Sequence, residues 1–324
     1  MRRREFIAGL SAAAWPRAAL AQLPQLVIGF LGSDREELRS NRFRAFHEAL
    51  TEAGYTDGRN ITIEFRWGDG EVSRFPELAS DLVRRQVAVI ASLAGIPSAK
   101  AAKEATSTIP IVFQGGFDPV EIGLVASLSR PGGNATGVTN LGLELGPKRL
   151  EVMRELLPAG KLFALIFNPD YPNAPRQLRD MQDAARKLGV RVETVAARLA
   201  SEFDAGFTAA VRTGADGLIV GFGQPFTAFA KDLGELAMRH RIPAISESPE
   251  FVRSGGLLSY SGNREDAFRL AGRYVGRILK GEKPADLPVQ QATRVEMAVS
   301  LKVAKALNID VPLSLLGRAD EVIE

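Results

Sequence analysis

The feature that most restricts the fold of this chain is an alternation of short apolar strands with helical patterns. In the first half, the strand-like runs are Gln25–Leu31, Ile61–Trp67, Val87–Ala91 and Ile109–Phe113. Three of them lack polar alternation, which is typical of parallel strands covered on both faces, whereas Ile61–Trp67 alternates and suits a position nearer the sheet edge. Strands that alternate with helices at this interval form parallel βαβ units, so the chain is predicted to be an α/β protein with doubly wound parallel sheets.

The second half of the chain repeats this plan after Asn140. Its strand-like runs are Leu162–Phe167, Val190–Val195, Gly217–Val220 and Ile242–Ile245. A strand led by proline occurs in both halves, at Pro110 and at Pro243. Short extended segments at 137–140 and 256–262 are suited to crossings between two bodies. We therefore predict two similar lobes.

The first residues have the features of an export signal. Arg2 to Ile7 is a charged region, Ala8 to Trp15 is a short apolar stretch, and Ala19-Leu20-Ala21 fits a cleavage site. Arg3-Arg4-Glu5-Phe6-Ile7 also resembles a twin-arginine signal, which would export an already folded protein. We expect residues 1–21 to be removed and the mature protein to lie in the periplasm, by either the twin-arginine or the general secretion route.

Removing the signal changes the charge of the chain. The full sequence has 41 basic and 38 acidic residues, and the signal takes away four arginines and one glutamate, which leaves 37 of each. A mature chain of zero net charge gives no reason to expect nucleic-acid binding. The absence of cysteine excludes disulfides, thiol nucleophiles and cysteine-based metal sites, and only two histidines remain. We expect no cofactor, no metal and no stable membrane insertion.

The stretch from Ile109 to Asn140 carries the strongest functional signal. A buried strand leads into Gln114-Gly115-Gly116-Phe117-Asp118-Pro119, and an apolar helix is expected to follow Pro119. In open α/β sheets, ligands bind beyond the carboxyl ends of the strands, which is where this segment falls. No phosphate loop, nucleophile elbow or zinc motif occurs in the chain, so recognition of a ligand fits better than catalysis.

Three segments resemble a known family. They are EAGYTDGRNITIEFRW at 52–67, STIPIVFQGGFDPVEIGLVASLSRPGGNATGVTN at 107–140 and LPVQQATRVEMAVSLKVAKALNI at 287–309. They are similar to ABC-transporter substrate-binding proteins of the TrpX-like type. The resemblance implies a periplasmic-binding-protein fold of type I, a Venus flytrap in which three hinge crossings join two lobes around a small ligand. On this reading, lobe 1 comprises residues 22–139 and 262–289, and lobe 2 comprises residues 140–261 and 290–324. The resemblance also implies that the protein is a monomer and that its partner is an ABC permease.

Polar and aromatic residues at the predicted strand ends are the candidate ligand-binding residues. They are Ser92, Ser98, Gln114, Phe117 and Asp118 in lobe 1, Asn168, Tyr171, Asn173, Gln224, Glu247 and Ser248 in lobe 2, and Asn140 and Tyr260 at the crossings. Hydroxyls and helix N-terminal amides suit a ligand carboxylate, and Asp118 and Glu247 suit an ammonium group. The expected ligand is an amino acid, aromatic or branched, or else a small organic acid.

Three alternative functions remain open from the sequence. An enzyme on the same scaffold, such as a racemase or a dehydratase, would need acid–base residues paired across the cleft. A core related to bacterial repressors would need an N-terminal helix-turn-helix, where this chain has a signal. A ligand-sensing partner of a membrane receptor would use the same lobe faces as a transport protein, and the sequence does not separate the two.

Overall fold

The protein forms two α/β lobes that face each other across a cleft. The computed structural model describes residues 26–33, 35, 38 and 40–324, so the predicted signal peptide lies outside it. The elements up to the first crossing are β1 (Leu26–Gly32), α1 (Asn41–Glu52), β2 (Ile61–Trp67), α2 (Phe75–Arg84), β3 (Val89–Ser92), α3 (Ile96–Ala105), β4 (Ile111–Gly115) and β5 (Ala135–Asn140).

The chain then enters the second lobe. Its elements are α4 (Gly146–Leu156), β6 (Leu162–Phe167), α5 (Ala174–Leu188), β7 (Arg191–Ala196), α6 (Phe203–Arg212), β8 (Gly217–Val220), α7 (Ala230–Arg239), β9 (Ala244–Ser246), α8 (Pro249–Arg253) and β10 (Leu258–Gly262). The last part comprises α9 (Arg264–Leu279), β11 (Gln290–Ala292), β12 (Val295–Ser300), α10 (Leu301–Ala306), α11 (Leu313–Leu316) and β13 (Glu321–Ile323).

The strands form two separate sheets among the described residues. The first has the order β11-β5-β4-β3-β1-β2 and the second the order β13-β12-β10-β9-β8-β6-β7. All pairings are parallel except that of β10 with β12. The chain passes between the sheets after β5, after β10 and after β11. The α/β class and the repeated lobes predicted from the sequence are therefore confirmed, with β2 at an edge.

Each sheet has a hydrophobic core on either face, because its strands are apolar on both sides. In β1, Ile28 and Phe30 pack against α1 and α9, whereas Leu31 belongs to the core under α2 and α3. Complete burial of one such side chain stabilises the fold by about 1.5–3 kcal/mol. Within the described residues, no helix combines the length and apolarity that a membrane crossing requires.

Side-chain caps define where several helices begin. Ser40 Oγ accepts a hydrogen bond from the Phe43 amide at 3.2 Å at the start of α1, and Asn263 Oδ1 accepts from the Asp266 amide at 2.7 Å at the start of α9. The Asn263 cap lies directly after the second crossing. It therefore fixes the point at which the chain re-enters the first lobe.

Two sequence-based expectations differ from the structure. The apolar helix expected after Pro119 is wrong, because residues 119–128 form turns. The Leu124 amide donates to the Pro119 carbonyl at 2.9 Å, and Gly123 has a φ of +76°, a left-handed conformation that ends helical geometry. In addition, β11 (Gln290–Ala292) pairs with β5 in the first sheet, although its residues were assigned to lobe 2.

Candidate functional site

The cleft between the lobes is bounded by loops at the carboxyl ends of the parallel strands. From lobe 1 and the first crossing it is lined by Ser33, Leu93, Ala94, Gly95, Gln114, Gly115, Gly116, Asn140 and Arg264, and from lobe 2 by Tyr171, Phe222, Gly223, Gln224, Thr227 and Glu247. The side chains leave about 30 Å³ of free space between them. A ligand as large as an amino acid must therefore enter while the lobes are further apart.

The position of the cleft follows from the strand order. In the first sheet the order reverses between β1 and β3, and in the second between β6 and β8. Ligands bind at such switch points because the loops on either side diverge and leave a crevice. Ser33 follows β1 and Gly95 follows β3, while Tyr171 follows β6 and Phe222 follows β8. The two switch points face each other.

The lobes are in direct contact across the cleft. Gln224 Nε2 in lobe 2 donates a hydrogen bond to Ser33 Oγ in lobe 1 at 3.1 Å. At the rim, Arg176 Nη1 on α5 lies 3.2 Å from Glu121 Oε2 in the loop after β4. Each pair joins a residue of one lobe to a residue of the other, so both pairs form only when the lobes close.

Tyr171 and Phe222 form the aromatic wall of the cleft. Their rings are edge-to-face, with centroids 6.2 Å apart and an interplanar angle of 79°. Burial raises the pKa of the Tyr171 phenol, and the nearby Glu247 carboxylate raises it further. The backbone amide of Ile96, at the N-terminus of α3, hydrogen bonds to the same hydroxyl. Tyr171 is therefore a neutral side chain that reaches from lobe 2 to lobe 1.

Glu247 brings a buried carboxylate into the cleft. Its side chain is 7% exposed, and its Oε1 accepts a hydrogen bond from Thr227 Oγ1 at 2.9 Å. Arg149 lies behind it and is 1% exposed, with its guanidinium donating to the carbonyls of Tyr260 at 3.1 Å and Gly142 at 3.0 Å. Burial lowers the pKa of Arg149, and the Glu247 charge opposes that change. The guanidinium thus connects the first crossing, at Gly142, with the second crossing, at Tyr260, and Glu247 is the charged group of this pair that lines the cleft.

Two buried glutamines in the cleft carry polar atoms without a partner among the described residues. Gln114 at the end of β4 is 2% exposed, and its Nε2 has no hydrogen-bond acceptor. Gln224 after β8 is 4% exposed, and its Oε1 has no donor, whereas its Nε2 binds Ser33. An unpaired buried amide costs about 1–3 kcal/mol, so these two atoms mark a position where another molecule would stabilise the site.

A larger cavity of about 570 Å³ adjoins the cleft on the side of α1, α8 and α9. Thr227 and Arg264 line both spaces. Burial raises the pKa of Glu296 in this cavity, and together with the carboxylates of Asp320 and Glu250 brings it to about 7. Burial acts in the same direction on Glu250, but the Arg42 guanidinium and the Ser248 hydroxyl outweigh it and lower that pKa to about 2. The cavity is highly charged, unlike the cleft.

Five of the residues expected at the site line the cleft together. They are Gln114, Asn140, Tyr171, Gln224 and Glu247. Asn140 Oδ1 accepts a hydrogen bond from the Gly142 amide at 3.1 Å, which shapes the first crossing. All five come from the ends of strands or from a crossing, as the sequence argument assumed.

The other expected residues take structural positions. Asp118 is exposed and caps a turn outside the cleft lining, with its Oδ1 accepting from the Val120 amide at 2.8 Å. Ser92 Oγ, at the end of β3, donates to Ser98 Oγ, in the first turn of α3, at 2.8 Å. The remaining ones stand outside the cleft lining: Phe117 packs on Phe113, Asn168 donates to the Gln224 carbonyl, Asn173 precedes α5, Ser248 donates to Glu250, and Tyr260 packs into the second-lobe core.

Several cleft residues were absent from the sequence-based set. Ser33 and Phe222 flank the two switch points, and the same strand-end rule would have found them if the strand order had been known. Arg264 is half-buried and lines the cleft, because it occupies the first turn of α9 beside the second crossing. Thr227 gives no local signal, since its role depends on the neighbouring β9 loop.

Comparisons with known proteins agree on one family. A family model described as ABC transporter substrate binding protein matches residues 37–323. A tyrosine-binding protein of Clostridioides difficile (strain R20291) is 30% identical over 267 residues, which cover 82% of this chain and 76% of that protein. The structure of an ABC domain from Streptococcus pneumonia in complex with L-Trp is 25% identical with a TM-score of 0.83, covering 92% of this chain and 100% of the other.

A third relative was solved in a ligand-free, open form. It is a substrate binding protein with adhesive properties from Clostridium difficile, in a ligand-free, open structure that is 26% identical and covers 92% of this chain and 99% of the other. Its TM-score is 0.64, compared with 0.83 for the L-Trp complex at nearly the same identity. In the present structure, the contacts across the cleft indicate that the lobes are in the closed arrangement.

Proposed function

The chain belongs to the ABC transporter substrate binding protein family, and we propose that it captures an amino acid between its two lobes outside the cytoplasm and delivers it to an ABC permease. Export follows from the signal predicted at residues 1–21. The ligand class follows from the cleft and from the relatives, one named for tyrosine and one solved with L-Trp. Aromatic amino acids are therefore the first ligands to test.

The observation that supports this proposal most strongly is the composition of the closed cleft. Buried polar groups at both switch points surround an aromatic wall of Tyr171 and Phe222. Ligand sites typically combine such apolar walls with a few placed polar groups, which fix orientation and specificity. Because both lobes contribute, a ligand bound here would bridge them and stabilise the closed arrangement.

The cleft chemistry favours binding over catalysis. Among the described residues that line the cleft, Glu247 is the one carboxylate, and its hydrogen-bond partner is the Thr227 hydroxyl. General acid–base chemistry at an amino acid would need a second titratable group within hydrogen-bond reach of the ligand. Tyr171 is a weak candidate because its pKa is raised by burial and by Glu247, so it does not ionise near neutral pH. We therefore propose that the protein is not an enzyme.

A thermal-shift screen tests the proposal directly. The mature protein, residues 22–324, would be unfolded and refolded to remove any carried-over ligand, then heated with single amino acids, aromatic acids and short organic acids. A ligand that binds only the folded state at a hundred times its Kd should add about 2.7 kcal/mol to the free energy of unfolding. We expect a saturable shift with tyrosine or tryptophan. A shift confined to organic acids without an amino group would contradict the proposed ligand class.

A further inference from the structure

The two lobes present opposite hydrogen-bonding character to the cleft. On the lobe 1 side, Gln114 offers an N–H group without an acceptor, and Arg264 contributes positive charge. On the lobe 2 side, Gln224 offers an oxygen without a donor, and Glu247 contributes negative charge. These four side chains come from the end of β4, the first turn of α9 and the segments after β8 and β9, so the separation into a donor side and an acceptor side arises only in the folded, closed molecule.

The orientation of the Gln224 amide is set by the opposite lobe. Its Nε2 donates to Ser33 Oγ at 3.1 Å, which leaves Oε1 as a buried acceptor without a donor among the described residues. Glu247 lies on the neighbouring β9 loop, and Thr227, three residues after Gln224, binds its Oε1 at 2.9 Å. Thr227 occupies only one of the carboxylate's acceptor positions, because an ionised carboxylate can accept about four hydrogen bonds. The acceptor side therefore has capacity for a ligand cation.

The surrounding charges are consistent with this polarity. Tyr171 stands between the two sides: the Glu247 charge raises its pKa and the Arg264 charge lowers it, so both charges act at the same ring. Arg149 also acts on Glu247, while its own hydrogen bonds go to the carbonyls of Gly142 and Tyr260 and its buried Nε has no partner among the described residues. The Arg149 charge therefore offsets part of the negative charge of Glu247.

We infer that the two lobes bind opposite ends of a zwitterionic ligand. Gln114 of lobe 1 binds the carboxylate, and Gln224 and Glu247 of lobe 2 bind the ammonium group. This inference rests on the proposed function, because it assigns an orientation to the proposed amino acid. A carboxylate accepts the N–H that Gln114 cannot satisfy, and an ammonium group donates to Gln224 Oε1 and to Glu247. Each end is held by one lobe, so a ligand that lacks either end would hold the closed form less well.

The inference is tested with ligands that lack one end. L-tyrosine is compared with tyramine, which lacks the carboxylate, and with 3-(4-hydroxyphenyl)propanoate, which lacks the ammonium group. L-tryptophan, tryptamine and indole-3-propanoate form a second series. Dissociation constants are measured by calorimetry for the wild type and for Gln114→Met, Gln224→Met and Glu247→Gln. All three variants roughly keep side-chain size; the two methionine variants remove the amide, and Glu247→Gln removes the negative charge.

Gln114→Met and Glu247→Gln should lose affinity only for ligands that carry the partner group. Gln114→Met should weaken binding of the amino acid by about 10- to 100-fold and should change the Kd of the amine by less than about twofold. Glu247→Gln should weaken binding of the amino acid by a similar factor and should leave the Kd of the propanoate nearly unchanged. Gln224→Met also removes the hydrogen bond to Ser33 that joins the lobes, so it should weaken all three ligands of a series, and the two that carry an ammonium group should lose more than the propanoate. Asp118→Asn and Gln182→Met are the controls, because both side chains are exposed and lie outside the cleft lining.

The outcomes separate this inference from the proposed function. If an amino acid binds and the three variants weaken all three ligands of its series equally, or if the selectivities are exchanged, the inferred orientation is wrong while the proposed function stands. If none of the six compounds binds, both the inference and the assignment to aromatic amino acids are overturned. Unfolding curves of the free variants, expected to stay near that of the wild type, establish that any loss of binding is not a loss of fold.

Discussion

Replacing Gly70 with alanine would place a methyl group between the closed lobes. Gly70 lies just after β2 in lobe 1 with a φ of +79°, and a Cβ built there would lie 2.4 Å from Cε2 of Phe229 in lobe 2. Carbon atoms in contact prefer about 3.5–4.0 Å, so the ring would have to move by more than about 1 Å. Phe229 packs edge-to-face on Phe203 with centroids 6.1 Å apart, which restricts that movement.

The expected effect has two parts. Alanine at a positive φ costs about 1–2 kcal/mol whether or not the lobes are closed. The overlap with Phe229 arises only in the closed arrangement, and overpacking of this kind costs about 1–3 kcal/mol. Because that second cost falls on the closed form alone, ligand affinity should fall by about 5- to 150-fold.

Gly58→Ala is the matched control for this experiment. Gly58 has a φ of +75° and no atom within 4 Å of the position that a Cβ would take, so its substitution carries the backbone cost without the contact. Urea unfolding should show similar losses of stability for the two variants. Calorimetry with the bound amino acid should show weaker binding for Gly70→Ala only, and small-angle scattering should show incomplete closure. Equal dissociation constants for the two variants would refute the argument that the contact between Gly70 and Phe229 belongs to the ligand-bound form.

Two further predictions concern buried charges near the crossings. Glu296 has a pKa raised to about 7 from 4.5 by burial and by neighbouring carboxylates, so its contribution to stability is fully present below about pH 4.5 and is lost as the pH rises through 7. Glu296→Gln should therefore unfold at higher urea than the wild type at about pH 8 but not at about pH 4, and parallel profiles would contradict this. Arg149→Met should lower the free energy of unfolding by about 2–4 kcal/mol, because two backbone carbonyls lose a charged donor and removal of the buried charge offsets only part of that loss. If the variant has the same free energy of unfolding in urea as the wild type, the guanidinium does not hold the crossings together.

Much of the fold could be predicted from the alternation of strands and helices. The runs Leu162–Phe167 and Gly217–Val220 are strands with the predicted bounds, because runs of four to six apolar residues are too short for most helices and suit strands covered on both faces. The segment after Pro119 was predicted incorrectly, since its apolar composition suits a helix but Gly123 and the turn hydrogen bonds stop one from forming. Local composition therefore predicted buried strands better than it predicted loops.

The sequence alone determined where along the chain ligand-binding residues can occur, because parallel strands place their carboxyl ends on one edge of a sheet. Only the tertiary structure decided which of those residues meet the cleft. Asp118 and Glu247 both follow strands, yet the first caps an exposed turn and the second is buried between the lobes, since side-chain direction depends on the loop backbone. Contacts such as that of Ser33 with Gln224 join residues 191 positions apart, and no local pattern encodes a pairing that exists only when two separately folded lobes close.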